Sequence, residues 1–330
     1  MKRELSYTQA SIMKNNKENQ PCMVSIVCDV YNHEPYLRDC LEGFVKQVVD
    51  FPYEIIIHDD CSTDKSAEII KEYVAKYPHL FKPFYQKVNQ YSQGVSIWGA
   101  LQFPRAEGKY IAICEGDDYW TDSHKLQKQI EILEADSSLM CCCTDQSIVD
   151  KHGNILKEKN GNVVVGSKQG RYNLRDFFRD QHQYPTLSMV FRNTNMGEVL
   201  KKFAHTRNKF LGDWTLWIIL LCYGDMYYLD VVTCAYRINP TSITHTVNRV
   251  ERAKASREIC RRVADILPEE YSDIAADLRK TNWVWISLIF AYKAEKRYFG
   301  MLGSFIMAAT LCPKSLWKTI RESLYKRKNK

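Results

Sequence analysis

The first 145 residues alternate short, almost continuously apolar runs with helical patterns, and this alternation restricts the fold more than any other feature. The runs "MVSIVCDV" (Met23–Val30), "YEIIIHDD" (Tyr53–Asp60), "LFKPFYQ" (Leu80–Gln86), "KYIAIC" (Lys109–Cys114) and "LMCCCTD" (Leu139–Asp145) read as strands. Between them, Leu37, Leu41, Phe44, Val45 and Val48 keep one helical face, as do Ile69, Ile70, Tyr73 and Val74. Asp64, and then Asp122 or Ser123, mark helix starts. Strands apolar on both sides must be covered on both sides, so the pattern predicts an α/β fold with a mainly parallel sheet between helical layers. In such sheets ligands bind beyond the carboxyl ends of the strands.

Those strand ends are acidic. The first run ends in Asp29, Tyr31 and Asn32, the second in "DDCSTD" (Asp59–Asp64), and the fourth in Glu115, Asp117 and Asp118. Each has an ordinary explanation, since Asp64 suits a helix cap and Asp59 a turn. Three acid-rich exits on one rim point instead to a shared ligand. Hard divalent cations such as Mg2+ or Mn2+ take oxygen ligands, often one or two carboxylates plus substrate phosphates. A cation would make the repulsion between Asp117 and Asp118 tolerable, with one carboxylate on the metal and the other free to accept from a ribose. A lone Asp-Asp pair is also common in solvated turns.

The second half is less regular. Ser147–Gly166 reads as a hairpin-rich insert turning at Lys151–Asn154, "NLRDFFRD" as a short helix, and "TLSMVFR" (Thr186–Arg192) as a strand. "LGDWTLWIILLCYG" (Leu211–Gly224) opens on an acid and continues as an apolar helix, and "YYLDVVTCAYRI" (Tyr227–Ile238) returns to strand character. The twelve cysteines sit mostly in apolar runs without a C-x-x-C spacing, so they read as free thiols in a reducing compartment. Residues 1–20 are polar and lack the apolar stretch of a secretory signal, reading as a flexible tail. The net charge of +7 is uneven: Arg249–Lys330 carries 18 basic and 9 acidic residues, hence +9, leaving −2 for Met1–Asn248. An acidic first domain disfavours nucleic acid as a partner.

The stretches "VSIVCDVYNHEPYLRDCLEGFVKQ", "YEIIIHDDCSTDKSAEII", "AEGKYIAICEGDDYWTDSHKLQKQIEIL" and "LGDWTLW" together resemble the inverting family 2 glycosyltransferases, over roughly Met23 to His245. Asp60 precedes Asp117 by 57 residues, and Asp118 precedes Asp213 by 95. The resemblance implies a type A glycosyltransferase fold with a mainly parallel nucleotide-binding sheet; the C-terminal third matches nothing of the family, and its own sequence after Arg249 reads as a helical extension. The resemblance implies a catalytic domain over residues 21–248, divided into a nucleotide-sugar half (about 21–145) and an acceptor half (about 146–248); the chain's own charge and pattern make 249–330 a basic helical region. It implies a nucleotide-diphosphate sugar donor, UDP favoured, and a divalent cation, Mn2+ or Mg2+. Position by position, Asp60 matches the residue that meets the base, and Asp29, Tyr31 and Glu34 the rest of the nucleotide cradle. Asp117 and Asp118 match the D-x-D-like pair, with Asp118 as metal ligand, and Asp213 matches the general base. Gly212 stands where the family more usually has another acid. His245 lies where some relatives place a metal or phosphate contact, and Arg237 is a candidate for the diphosphate; an ordinary surface histidine is the commoner case. Trp214 and Trp217 suit sugar stacking or, at helical spacing beside Ile218 and Leu221, the core.

No Q-x-x-R-W stretch typical of processive synthases is present, and no apolar run reaches the ~20 residues of a bilayer span, so addition of one sugar is expected. "KSLWKTIRESLYKRKNK" (Lys314–Lys330) carries seven basic residues against one acid, with Leu316, Ile320 and Leu324 on one face. It suits either the surface of an anionic leaflet or a solvated capping helix. A cytoplasmic protein, peripheral at the inner face of the membrane, acting on a glycan or lipid-linked oligosaccharide is the resulting expectation. A catalytically silent nucleotide-sugar-binding or partner-binding module on the same fold is the alternative.

Overall fold

A computed structural model of the chain describes residues 20–158, 168–179, 184–206, 212–239, 248–280, 288–290, 292–293 and 298–311. The chain divides into two compact units, one of residues 1–201 with 223–239 and the other of residues 202–222 with 240–330. The expected catalytic domain over residues 21–248 thus has parts in both units, the helix that carries Asp213 falling with the C-terminal helices. The expected tail at residues 1–20 lies, apart from Gln20, outside the described residues.

The first unit is built on a ten-stranded sheet. Strand β1 (Val24–Val30) is flanked by β2 (Tyr53–Asp59) in parallel register, Val24 beside Tyr53 and Val30 beside Asp59. Every residue of β2 is buried, as the apolar run requires of a strand covered on both faces. Strand β3 (Phe81–Tyr85) adds in parallel to β2, and β4 (Tyr110–Ile113) in parallel to β1. Helix α1 (Leu37–Val45) joins β1 to β2 and buries Leu37, Cys40, Leu41 and Phe44 at the predicted spacing. Helix α2 (Ser66–Lys76) joins β2 to β3 and buries Ile69, Ile70 and Tyr73. Each such side chain removed from water contributes about 1.5–3 kcal/mol. The packing fixes where the carboxyl ends of β1, β2 and β4 meet.

Beyond β4 the sheet turns mixed. The remaining elements are β5 (Tyr119–Trp120), α3 (Lys125–Ala135), β6 (Leu139–Val149), β7 (Ile155–Lys157), β8 (Gly170–Tyr172), α4 (Leu174–Arg179), β9 (Val190–Arg192), α5 (Met196–His205), α6 (Gly212–Leu221) and β10 (Asp225–Arg237). The order across the sheet is β3-β2-β1-β4-β9-β6-β10-β5, with β9 antiparallel to both β4 and β6. Thr186–Arg192 is therefore only half strand: Thr186–Ser188 forms a 3-10 turn before β9. The hairpin predicted after Ser147 is present as β6 and β7, with Gly153 left-handed in its turn (φ 85°). Its continuation over residues 159–167 lies outside the described residues.

In the second unit, α6 buries every residue from Thr215 to Leu221, including Trp217, which settles that side chain as core. Asn248 caps α7 (Arg249–Ile266), its side-chain oxygen accepting from the backbone N–H groups of Val250 (2.9 Å) and Glu251 (3.1 Å). Helix α8 (Ser272–Lys280) packs on α7, and α9 (Tyr298–Leu311) follows. Among the described residues no helix is long and apolar enough to cross a membrane.

Candidate active site

The site is assembled from loops that leave β1, β2 and β4 and then lock onto one another. After β1, Asn32 takes a left-handed conformation (φ 56°), and after β2 so does Cys61 (φ 65°). These reversals face the two loops together. The Asn32 side-chain oxygen accepts from Thr63 N–H (2.8 Å), and Asn32 N–H donates to Ser62 Oγ (3.0 Å). Glu34 N–H donates to Asp64 Oδ2 (2.9 Å), while the Glu34 carboxylate accepts from Lys65 N–H (3.1 Å). His33 N–H donates to Ser66 Oγ (2.9 Å). Glu34, expected in the nucleotide cradle, is thus engaged in bracing the rim, and Asp64 ties the start of α2 to it.

Asp60 is buried at the end of β2 and pins the segment that follows β3. Its Oδ1 accepts from Gln90 N–H (2.7 Å) and its Oδ2 from Tyr91 N–H (2.9 Å), with His58 Nε2 3.5 Å from Oδ1. The same crossover then forms one turn of π-helix, Ile97–Gln102, a geometry that recurs at functional sites. From it the Gln102 amide donates to the Asp29 carboxylate. Burial, then the charges of Glu115 and Asp60, push the Asp29 carboxyl well above the usual range. Tyr31, 46% exposed, stands on the rim beside these acids.

The E-G-D-D turn after β4 is anchored to β1 by Gly116 N–H, which donates to Asp29 O (3.0 Å). Glycine is needed there, because a Cβ would lie 2.8 Å from His33 Nδ1 and 3.0 Å from a Val30 methyl. With the backbone so close, Glu115, Asp117 and Asp118 each bring a carboxylate oxygen within 4.8 Å of the others. Asp118 is 2% exposed, and burial, then Asp117 and Glu115, hold its carboxyl well above the ordinary value, with Arg237 opposing. An all-oxygen donor set of three crowded carboxylates fits a hard divalent cation.

Arg237, at the end of β10, holds this turn from behind. Its backbone N–H donates to Asp118 Oδ1 (2.7 Å), its Nε to the Asp117 carbonyl (3.0 Å) and its Nη2 to Asp39 Oδ2 (2.8 Å). The guanidinium lies 4.9 Å from the Tyr36 ring centre and 5.1 Å from that of Tyr119. Through these contacts Arg237 braces the acidic turn.

The structure brings Asp29, Tyr31, Asp60, Asp117, Asp118 and Arg237 to the carboxyl ends of β1, β2, β4 and β10, with Glu34 in the supporting layer. Asp213 is exposed in the first turn of α6 in the other unit, its Oδ1 accepting from Trp214 N–H (2.7 Å). His245 lies outside the described residues. His33, Gln102 and Asp39 carry no local signal of a role in the sequence; they reach the site through contacts spanning 73 to 198 residues or across close backbone packing. Glu115 reads in the sequence as a rim acid and not as a ligand; its place beside Asp117 and Asp118 is visible only in the fold.

A family model described as Glycosyl transferase family 2 matches residues 25–199. An uncharacterised protein of Mycobacterium tuberculosis, Rv1520, is 42% identical over 130 residues, 39% of this chain and 37% of that protein. The chain thus matches little more than a third of the length of that relative. A poly(ribitol-phosphate) beta-glucosyltransferase of Bacillus spizizenii is 37% identical over 97 residues, 29% of this chain and 15% of that protein. Among solved structures, S. aureus TarS 1-349 in complex with UDP-GlcNAc aligns with a TM-score of 0.57 at 14% identity, over 87% of this chain and 91% of that one. The mannosyltransferase PcManGT of Pyrobaculum calidifontis, in complex with GDP-Man and Mn2+, aligns with a TM-score of 0.54 at 16% identity, over 97% and 91%. The fold is the type A glycosyltransferase fold, and with the family model covering more than half of its residues, the chain belongs to glycosyl transferase family 2.

Proposed function

We propose that this chain transfers one sugar from a nucleotide-diphosphate donor, UDP-linked by preference, to a hydroxyl of a glycan or lipid-linked acceptor, with inversion at the anomeric carbon. The observation that carries this reading is the cluster of Glu115, Asp117 and Asp118 at the end of β4, beside the rim formed by β1 and β2. Asp118 and Asp117, with Glu115, are the residues to hold Mn2+ or Mg2+, which when bound would neutralise charge on a diphosphate leaving group. Asp60 serves the base site through its own remaining acceptor capacity and through the Asn89–Tyr91 segment it pins, with Asp29 and Tyr31 alongside. Glu34 and Arg237 position the loops that carry these groups.

Asp213 is assigned as general base. A sugar hydroxyl is a weak nucleophile at neutral pH, so a carboxylate within reach takes its proton as attack proceeds. Attack opposite the departing nucleotide inverts the sugar, by the facial logic of inverting hydrolases. Its place in the first turn of a helix that is buried from Thr215 onward fixes the carboxylate on a rigid element. His245 enters as a further metal or phosphate contact by the family pattern alone. The UDP-GlcNAc complex of TarS supports the donor class, and the B. spizizenii relative supports a role in cell-surface polysaccharide synthesis. The basic region over residues 249–330 supports work at the cytoplasmic surface of the membrane.

The test is a panel of UDP- and GDP-sugars scored by calorimetry with and without Mn2+, together with detection of the released nucleotide. Cation-dependent binding of one donor and slow donor hydrolysis are expected. Asp118→Asn should abolish both, and Asp213→Asn should abolish transfer while leaving binding within about twofold. Binding without turnover for every donor and acceptor would favour the silent binding module, and no binding at all would sink both.

A further inference from the structure

The second unit holds a cavity unrelated to the acidic rim. About 430 Å³ in volume, it is lined by Lys254 and Arg257 of α7, by Leu288 and Tyr292, and by Gly303, Ser304 and Met307 of α9. The two cations stand one helical turn apart on one side, and the other walls are mostly apolar. Lys254 has no ion-pair partner among the described residues. Burial, then the neighbouring Arg261, push the Arg257 guanidinium below its ordinary value.

The flank of α9 beside the cavity is apolar and open. Phe299 is 95% exposed, Leu302 57%, Ile306 56% and Phe305 42%. At 100° per residue these four form one stripe, and Gly303 and Met307 lie on its edge facing the cavity. An exposed aromatic and aliphatic stripe running into a basic, apolar-walled cavity asks for one kind of occupant. The region around it is complementary in charge, since Arg249–Lys330 carries 18 basic residues against 9 acids.

We infer that this cavity receives the phosphate-bearing headgroup of an anionic membrane lipid, with Lys254 and Arg257 on the phosphate, the upper chain along Leu288, Tyr292 and Met307, and the α9 stripe immersed at the bilayer interface. Apolar burial by Phe299, Leu302, Phe305 and Ile306 supplies adhesion. The two cations supply selectivity for anionic headgroups. The inference deepens the membrane-surface reading proposed above and is independent of sugar transfer.

The experiment uses the full chain and two probes: a monomeric short-chain phosphatidylglycerol, followed by calorimetry, and vesicles of equal parts phosphatidylglycerol and phosphatidylcholine, followed by flotation. Inorganic phosphate is the control for a bare anion site. The Lys254→Glu/Arg257→Glu double variant should bind the soluble lipid at least about tenfold more weakly. Gly303→Leu should weaken it comparably while keeping both cations, because a Cβ at Gly303 meets nothing within 4 Å and the added side chain occupies the cavity mouth. Unchanged far-ultraviolet circular dichroism and melting show that each variant is folded. Soluble-lipid binding equal to the parent in both folded variants overturns the inference, even if vesicles still bind through the basic tail. So does inorganic phosphate binding as tightly as the lipid, or failure of the parent to bind lipid at all. Loss of vesicle binding in the parent would end the membrane reading as well.

Discussion

Replacing Lys125 by methionine measures what a buried cation costs this fold. Lys125 is fully buried at the start of α3, with Nζ 2.7 Å from Gln129 Oε1 and 4.3 Å from the Trp120 ring centre. Burial pushes its pKa down from 10.5 to about 8, with the Cys234, Cys114, Cys142 and Cys143 thiols acting in the other direction. A displacement of about 2.5 pH units at about 1.4 kcal/mol each means that keeping the ammonium charged at pH 7 costs the folded state about 3 kcal/mol. Against this, the hydrogen bond to Gln129 contributes about 1–2 kcal/mol and the ring contact about 1–2 kcal/mol. Lys125→Met should therefore be close to neutral at pH 7. The sign with pH is fixed by linkage: the folded pKa lies below the unfolded one, so between about pH 8 and 10.5 the unfolded chain binds the extra proton. The parent must gain on the variant as pH rises, by about 2 kcal/mol from pH 7 to pH 9.5. Urea unfolding of both proteins at the two pH values reads this directly, because groups common to both cancel in the difference. A stability difference flat to within about 0.5 kcal/mol across that range would refute the reasoning.

Asp118→Asn should raise the melting temperature of the metal-free protein, since it removes a buried carboxylate crowded by Asp117 and Glu115 while its amide oxygen still accepts from Arg237 N–H, and it should erase any rise given by Mn2+. Differential scanning fluorimetry with and without Mn2+ reads both. Arg237→Lys cannot serve Asp39 and the Asp117 carbonyl together or fill the space between Tyr36 and Tyr119; a loss of about 2–3 kcal/mol in urea unfolding is expected, with weaker Mn2+ binding. Gly116→Ala places a Cβ 2.8 Å from His33 Nδ1, so the turn must shift, and Mn2+ affinity should fall about tenfold or more by calorimetry with the fold retained.

What the sequence revealed and what it hid separate by range. The strands over Tyr53–Asp59 and Tyr110–Ile113, and the buried faces of α1 and α2, are written in local apolar spacing and are found where that spacing puts them. The acids of the rim follow, because a strand's end fixes where its next residues go. Roles that depend on distant partners left no local trace. Arg237 reads as a candidate diphosphate contact, and the sequence does not show that its backbone N–H and guanidinium are engaged by residues up to 198 positions away. Glu34 reads as a cradle residue, and nothing local announces that its carboxylate also accepts from the backbone of Lys65. Strand β9 enters antiparallel between β4 and β6, a topology that three residues of apolar sequence cannot announce. The π-turn at Ile97–Gln102 is equally silent, because "IWGALQ" has no period that distinguishes it from an ordinary helix.

The electrostatics of the rim argue for a cation more firmly than the bare count of acids does. A site meant to work without one could neutralise crowded carboxylates by aiming a lysine or arginine head group at them. Arg237 is close enough to do so, but its guanidinium is turned to the Asp117 carbonyl and to Asp39, and only its backbone N–H reaches the Asp118 carboxylate. Among the described residues, the only side-chain cation that forms an ion pair with Asp117 or Asp118 is His33, at 4.0 Å from Asp117. Burial pushes His33 down from its ordinary pKa, against the pull of Asp117, so at neutral pH it contributes little charge. The fold thus holds the turn in place with Gly116, Asp29 and Arg237 while aiming no lysine or arginine head group at the Asp118 carboxylate. Burial, then Asp117 and Glu115, hold the Asp118 carboxyl above its ordinary value, so ionising it costs stability that a bound divalent ion would return. That is the physical reason the same three residues that crowd one another here are the ones expected to bind metal and donor together.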